Sequence, residues 1–345
     1  MGRLILHIGT HKTGTTSIQR GLSRNREVLK ENGIWYPNYD LINKRGHYAH
    51  IGIANAFSGA HPDLTRKDAV NFFAHVAEKS KNYDTTIISA ESFFRHVSMG
   101  ADGQPQKIPG LAENYWPKRI DYIREVRDHF PVDDIEIAMV VRRQIEYGQS
   151  LYQEHIKTSG YRGDFSEFRN CFWHRFDYLR QARAWAQVFG KLHVLRFEDL
   201  IKADNILDEF GTGIDVALSG LSSVPVENAS LSPDLVVWKR MMNGRVDAKT
   251  LRKDIEKLGS STALREFFKS MPKRSLFQDK EDALDFYAQY VDANELLKYE
   301  FMPKEAQNAP MFKEEFNDDL AFGDSLHPQF LNQLTKFLLS AGQNG

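Results

Sequence analysis

The sequence predicts an α/β protein, with a central parallel sheet flanked by helices and then a mostly helical C-terminal extension. Three observations carry this. Short apolar runs at 4–8, 85–89 and 135–141 are rich in aliphatic and β-branched residues, as strands covered on both faces are. Helical periodicity or helix start and stop signals separate such runs through about residue 200, so strand and helix alternate. Beyond about residue 230 the pattern turns mostly helical.

Taken in order, Leu4-Ile5-Leu6-His7-Ile8 forms a first strand and a Gly/Thr-rich turn follows at 9–16. Ile18, Leu22 and Leu29 then share one helical face, and Asn32-Gly33 stops that helix. Ile34-Trp35-Tyr36 reads as a strand closed by Pro37, and Thr85-Thr86-Ile87-Ile88-Ser89 as a buried one. A polar loop at 99–110 precedes a helix from about Pro117 to His129. Residues 135–141 form the next strand, with a helix after it. One helix spans Phe168 to Phe189 and ends at Gly190, and Leu192 to Phe197 is a strand leading into Glu198-Asp199. Ser232-Pro233-Asp234 starts a later helix, with Ser as N-cap, Pro in the first turn and an acid facing the positive dipole end.

A chain of 345 residues accommodates one large α/β domain, read here as 1–345 with an α/β core over 1–220 and a helical extension over 221–345. With 41% hydrophobic and 26% charged residues the composition is globular. Its one cysteine, Cys171, excludes an intrachain disulfide and a Cys-rich zinc site, and suits a reducing compartment. The first apolar run is too short for a signal peptide or membrane span, so the chain reads as cytoplasmic. No H-E-x-x-H occurs, His47 and His50 lack a carboxylate at motif spacing, and no metal is expected. Forty-five basic against 46 acidic residues argue against a nucleic-acid coat protein. The charge is uneven, however. Residues 1–66 carry nine Lys/Arg and four Asp/Glu, whereas 275–325 carry four and thirteen, so an anionic ligand belongs near the N-terminal end.

The segment Gly9-Thr10-His11-Lys12-Thr13-Gly14-Thr15-Thr16-Ser17 lies between the first strand and the first helix. There, successive N–H groups and the helix dipole converge on one point and favour an anion. Gly14 lets the backbone approach closely, the hydroxyls add donors, and Lys12 supplies a mobile charge. A Walker A loop places Lys directly after the second Gly, with a hydroxyl for Mg²⁺ beside it; here Lys12 precedes Gly14 by two residues.

His11-Lys12-Thr13-Gly14-Thr15-Thr16-Ser17 resembles the 5′-phosphosulfate loop of sulfotransferases that use 3′-phosphoadenosine 5′-phosphosulfate (PAPS), the carbohydrate-directed and bacterial members in particular. A second motif is similar to theirs. In Val140-Val141-Arg142-Arg143-Gln144-Ile145-Glu146-Tyr147-Gly148-Gln149-Ser150-Leu151-Tyr152, an Arg closes a strand, a Ser follows eight residues on and an aromatic comes two later. The family often has Asn-Pro after that Arg where this chain has Arg143-Gln144, which leaves open which arginine meets the 3′-phosphate. Gly33-Ile34-Trp35-Tyr36-Pro37, Arg196-Phe197-Glu198-Asp199-Leu200, Asn228-Ala229-Ser230-Leu231-Ser232 and Ala293-Asn294-Glu295-Leu296-Leu297 are similar to family segments in the same order.

The resemblance implies a P-loop-like fold and metal-independent, in-line sulfuryl transfer from PAPS to a hydroxyl, on a glycan or glycoconjugate. It implies that residues 11–17 cradle the 5′-phosphosulfate and that Arg142 and Ser150 hold the 3′-phosphate. Lys12 would stabilise the leaving oxygen. Glu91 stands just past the third strand, at the carboxyl edge where ligands sit in open parallel sheets, and is the candidate base. His47 and His50 are candidates to bind or deprotonate the acceptor, and His96 is a rival base. Trp35, Tyr36, Phe93 and Phe94 are either sugar-stacking platforms or core. Two other classes stay open: a P-loop kinase or NTPase using Mg-ATP, and an adenine-nucleotide-binding module without catalysis.

Overall fold

The computed structural model describes residues 2–100, 103, 114–222, 224, 231–247, 273–315 and 320–342, together with 250, 251, 253, 255, 258, 262, 266, 267, 270 and 271. Most of the polar loop at 99–110, and residues 228–230 of the Asn228–Ser232 segment, lie outside the described residues. The chain divides into two compact units that interleave in sequence. The first comprises 1–143, 174–227 and 292–312, and the second 144–173, 228–291 and 313–345. Residues 144–173 therefore belong with the later helices, although they precede the last strand.

The first unit holds one five-stranded sheet: β1 (Arg3–Gly9), β2 (Ile34–Trp35), β3 (Thr85–Ser89), β4 (Ile135–Val141) and β5 (Lys191–Arg196). The strands lie in the order β2-β3-β1-β4-β5 and every pairing is parallel. The apolar runs of β1, β3 and β4 are buried almost throughout, as helices on both faces require. The exception inside β4 is Glu136, buried to 4% exposure. Burial pushes its carboxyl up, but hydrogen bonds from Lys191 (2.8 Å) and His193 (2.6 Å) outweigh that and leave it below its ordinary value. The α/β class is the expected one.

Helix α1 (Thr15–Arg24) buries Ile18 and Leu22 beside Leu207, Phe210 and the sheet residues Ile5, Ile87 and Val140. The single helix expected up to Asn32 is two, since α1 gives way to α2 (Arg26–Glu31) at Asn25. The Asn25 amide donates back to the Gly21 carbonyl (2.8 Å), the local alternative that makes Asn a helix breaker. The helix expected over Phe168–Phe189 is likewise divided into Phe165–Cys171, a 3₁₀ turn at Trp173–Arg175 and Tyr178–Phe189. Asp177 breaks it by capping the last piece, accepting from the Arg180 N–H at 3.1 Å. Helices at Ile51–Phe57 and Arg66–Lys79 lie between β2 and β3, where the sequence reading places no element.

In the second unit, Ser232 caps the helix Pro233–Met242 as expected, accepting from the Leu235 N–H. Leu235, Leu258, Phe330 and Leu334 form a small core there. The acidic stretch closes ion pairs within each unit. Asp282 meets Arg169 (2.9 Å) and Asp324 meets Arg240 in the second, while Glu300 meets Arg183 in the first.

Gly21 marks a close contact between helices beside the sheet, because a Cβ there would lie 2.7 Å from Leu207 Cδ1. Leu207→Ala should cost about 2–5 kcal/mol by leaving a cavity. In that background Gly21→Ala should be stabilising by about 1 kcal/mol through helix propensity, whereas in the native background it should destabilise. Urea unfolding of the four proteins of this cycle measures the reversal of sign.

Candidate functional site

The exit of β1 runs toward β3 and β2, whereas the exit of β4 runs toward β5. A crevice therefore opens between the carboxyl ends of β1 and β4, the point where open parallel sheets bind ligands. The turn at 9–14 lies at this point and is tied to both neighbours. The Thr10 N–H donates to the Val140 carbonyl of β4 (2.7 Å). On the other side Gly9 packs so closely on the end of β3 that a Cβ would lie 2.6 Å from Glu91 Cβ.

The turn is built from left-handed backbone. Gly9, Lys12 and Gly14 have φ of 91°, 62° and 73°. For Lys12 this conformation costs about 1–2 kcal/mol, a strain kept where the surroundings hold it. The Thr13 hydroxyl donates to the Thr10 carbonyl (2.6 Å), so it secures the turn from within. Gly14 is the N-cap of α1 and supplies no side-chain cap. A side chain there would strike Ile206 Cδ1 at 2.9 Å and Phe197 at 3.2 Å. Thr15 and Ser17 are buried while His11, Lys12 and Thr16 are half-buried.

Glu91 opens a 3₁₀ turn (Glu91–Phe94) directly after β3, half-buried, with Gln19 of α1 donating to its Oε2 at 2.9 Å. Gln19 also donates to Ser89 Oγ (3.2 Å), so one buried amide aligns the end of β3 and the carboxylate. Arg142, at the end of β4, donates to the Lys12 carbonyl (3.3 Å) and lies over the Phe197 ring at 5.1 Å. The Arg143 backbone N–H donates to Glu198 (2.9 Å). The turn, Glu91 and Arg142 thus come together within the first unit. Ser150 is half-buried in the helix Gln144–Thr158 of the second unit, where Tyr152 donates to the Gly163 carbonyl.

The electrostatics of the turn are positive. Burial drives His11 well below its ordinary value, and Arg95, Arg175, His96 and Lys12 add to this in that order. His11 stays neutral, and its Nδ1 is buried with no hydrogen-bond partner among the described residues. Sequence reasoning missed Gln19, Arg95 and Arg175. Gln19 carried a signal, lying one turn into α1 on its buried side, but Arg175 is remote in sequence and has no local motif. His96 shares Asn55 Oδ1 with Arg95, at 2.8 and 3.2 Å.

The remaining histidines differ in kind. His50 is 1% exposed; its Nδ1 accepts from the Ser89 N–H (3.0 Å) and its Nε2 donates to the Pro37 carbonyl (3.0 Å). Both ring nitrogens are therefore engaged with backbone, a clamp between two segments. His47 is exposed and stacks on Tyr48, with centroids 4.3 Å apart. His7 is fully buried, bonded to Ser89 Oγ at 2.8 Å. Phe93, Phe94 and Tyr36 are core residues, and Trp35 stacks on Tyr83.

No protein-family model matches the chain, and no curated protein does. Among solved structures, a sulfotransferase from Alicyclobacillus acidocaldarius aligns with 77% of this chain and 99% of its own, at 13% identity and a TM-score of 0.39. Among the described residues no helix is long and apolar enough to cross a membrane.

Burial holds His7, His50 and His174 at about 3, against 6.5 when unfolded. Their neutral forms stabilise the fold fully above pH 6.5, and this contribution is lost as pH falls toward 3. His11 and His96 are likewise held well below 6.5 by burial, so near pH 5 unfolding should take up about five protons, one at each of the five rings, beyond what carboxylates contribute. His50→Gln should lower that slope by about one proton, read from chemical unfolding at pH 5–6.5; an unchanged slope would mean His50 is charged in the folded protein.

Proposed function

We propose that the chain is a sulfotransferase that uses PAPS as sulfuryl donor and the hydroxyl of a glycan or glycoconjugate as acceptor. The supporting observation is the convergence of the 9–17 turn, the Glu91 carboxylate and the Arg142 guanidinium at one crevice of a parallel sheet. The residues fit an anionic group. The first turn of α1 has no side-chain cap, the turn backbone is left-handed at three positions, and three cationic side chains add to the burial that depresses the basicity of His11.

When bound, PAPS supplies an activated sulfuryl group, whose sulfur bonds to the acceptor oxygen as its bond to the 5′-phosphate oxygen breaks. Lys12 and the N–H groups of the turn stabilise the charge that builds on that phosphate oxygen. Glu91 takes the acceptor proton as its oxygen attacks, and Gln19 holds the carboxylate in position through Oε2. Neutral His11 keeps its buried Nδ1 as a further polar contact for the donor. Arg142 is assigned to the 3′-phosphate, which separates PAPS from ATP. Ser150 takes the matching hydroxyl role on motif spacing alone.

A thermal-shift titration with adenosine 3′,5′-bisphosphate, against ATP with and without Mg²⁺, tests the reading. The bisphosphate should stabilise by ~2.7 kcal/mol at a hundredfold excess over its Kd, independently of Mg²⁺. A shift with Mg-ATP alone would replace the reading with a kinase or NTPase. Lys12→Ala and Glu91→Gln should each lower kcat by roughly 10²–10⁴ while bisphosphate affinity changes little. Equal loss of turnover and affinity in Lys12→Ala would confine Lys12 to ground-state binding.

A further inference from the structure

The turn after β1 keeps one residue in a backbone conformation that its side chain disfavours. Among the described residues three that are not glycine have positive φ: Lys12 at 62°, Asn43 at 54° and Asp215 at 54°. Asn and Asp tolerate left-handed backbone because a short polar side chain can hydrogen-bond locally, whereas lysine has no such help. The surroundings of Lys12 must therefore hold it there.

The holding contacts come from β4. The Thr10 N–H donates to the Val140 carbonyl (2.7 Å) and fixes the start of the turn, and the Thr13 hydroxyl donates back to the Thr10 carbonyl (2.6 Å). Between these two points the Lys12 carbonyl accepts from Arg142 Nη1 (3.3 Å). Relaxation of Lys12 to negative φ would turn that carbonyl away from Arg142.

Arg142 is itself fixed. The peptide that follows its Cα is bonded at both ends, the Arg142 carbonyl accepting from Tyr178 Oη (2.8 Å) and the Arg143 N–H donating to Glu198 Oε1 (2.9 Å). Tyr178 is buried. The guanidinium lies over the Phe197 ring at 5.1 Å, and the same ring is the surface on which Gly14 packs, 3.2 Å from where a Cβ would stand. Phe197 thus supports the turn directly at Gly14 and, through Arg142, at Lys12. A guanidinium carries several N–H donors, so the bond to Lys12 and a contact with a phosphate are compatible.

We infer that Arg142 is a positioning residue for the turn. By holding the Lys12 carbonyl it keeps Lys12 left-handed and so sets the N–H groups that meet the donor's 5′-phosphate, apart from any contact it makes with the 3′-phosphate. The service to a 5′-phosphate rests on the transfer reading; the tether between Arg142 and Lys12 does not.

The test is a cycle of four full-length proteins: native, Arg142→Ala, Lys12→Gly and the double variant. Glycine takes up positive φ without strain, so Lys12→Gly removes the need for the tether. The probe is 5′-AMP, which has no 3′-phosphate for Arg142 to meet, and its binding is measured by titration calorimetry. Arg142→Ala should weaken AMP binding by about tenfold in the native background but by less than about twofold beside Lys12→Gly. No loss in the native background overturns the inference and leaves Arg142 to the 3′-phosphate. An equal loss in both backgrounds also overturns it, because the guanidinium charge would then act without Lys12. Arg142→Met keeps packing on Phe197 and removes the donors, and it runs the same cycle should the alanine variant fail to fold.

Urea unfolding of these proteins without nucleotide separates the inference from the transfer reading. Loss of Arg142 should lower the unfolding midpoint, and Lys12→Gly should abolish most of that effect. This coupling without binding of AMP or adenosine 3′,5′-bisphosphate retains the tether and removes the nucleotide site. Nucleotide binding without coupling in either measurement removes the tether and leaves the transfer reading standing.

Discussion

A missing Cβ at Gly9 governs the candidate site. The turn after β1 must swing into left-handed backbone at the same residue that the end of β3 presses against, and only glycine satisfies both demands. Any other residue would push Glu91 away from the turn or unfasten Thr10 from β4. Because Gly9 is bare, three neighbouring strand ends come within reach of one point: the turn of β1, the carboxylate after β3 and the guanidinium after β4. Gly14 repeats the device one helical turn on, bringing the start of α1 against Phe197 and Ile206.

Around that point the fold concentrates positive charge and withholds it from its histidines. Burial keeps His11 neutral, with Arg95, Arg175 and Lys12 adding to it, while burial alone does the same for His7. The consequence is a division of labour among basic groups. Lysine and arginine supply fixed positive charge around the turn, and the buried imidazoles act as neutral hydrogen-bonding struts. His50 shows the second role most clearly, since both its nitrogens bridge the 37–50 segment to the end of β3. A histidine committed in this way is a poor proton acceptor, whereas the Glu91 carboxylate at the crevice is oriented by Gln19.

Local patterns were legible wherever one face or both faces of an element are buried by the sheet. Residues 85–89 and 135–141 are strands over the spans the sequence indicates, because central parallel strands need unbroken apolar runs. The reading failed where a polar residue offers the backbone a competing bond. Asn25 and Asp177 each break a helix that apolar periodicity alone would continue. The helix Arg66–Lys79 was overlooked although Thr65 and Asp68 form a reciprocal capping box, a signal that was present and unread.

The sequence by itself determined the α/β class and the strand–turn–helix at 4–24, because each follows from patterns within a short stretch, and it offered Lys12, Gly14 and Glu91 as candidates by their places beside strand ends and Arg142 through a family resemblance. Tertiary structure decided what is adjacent across the chain. It alone brought Gln19 to Glu91 and set Arg95 and Arg175 around His11. It also turned His50 into a strut and set Arg142 against the Lys12 carbonyl. The physical reason is that helix and strand periodicities act over a few residues, whereas strand order and side-chain packing join residues with no pattern in common.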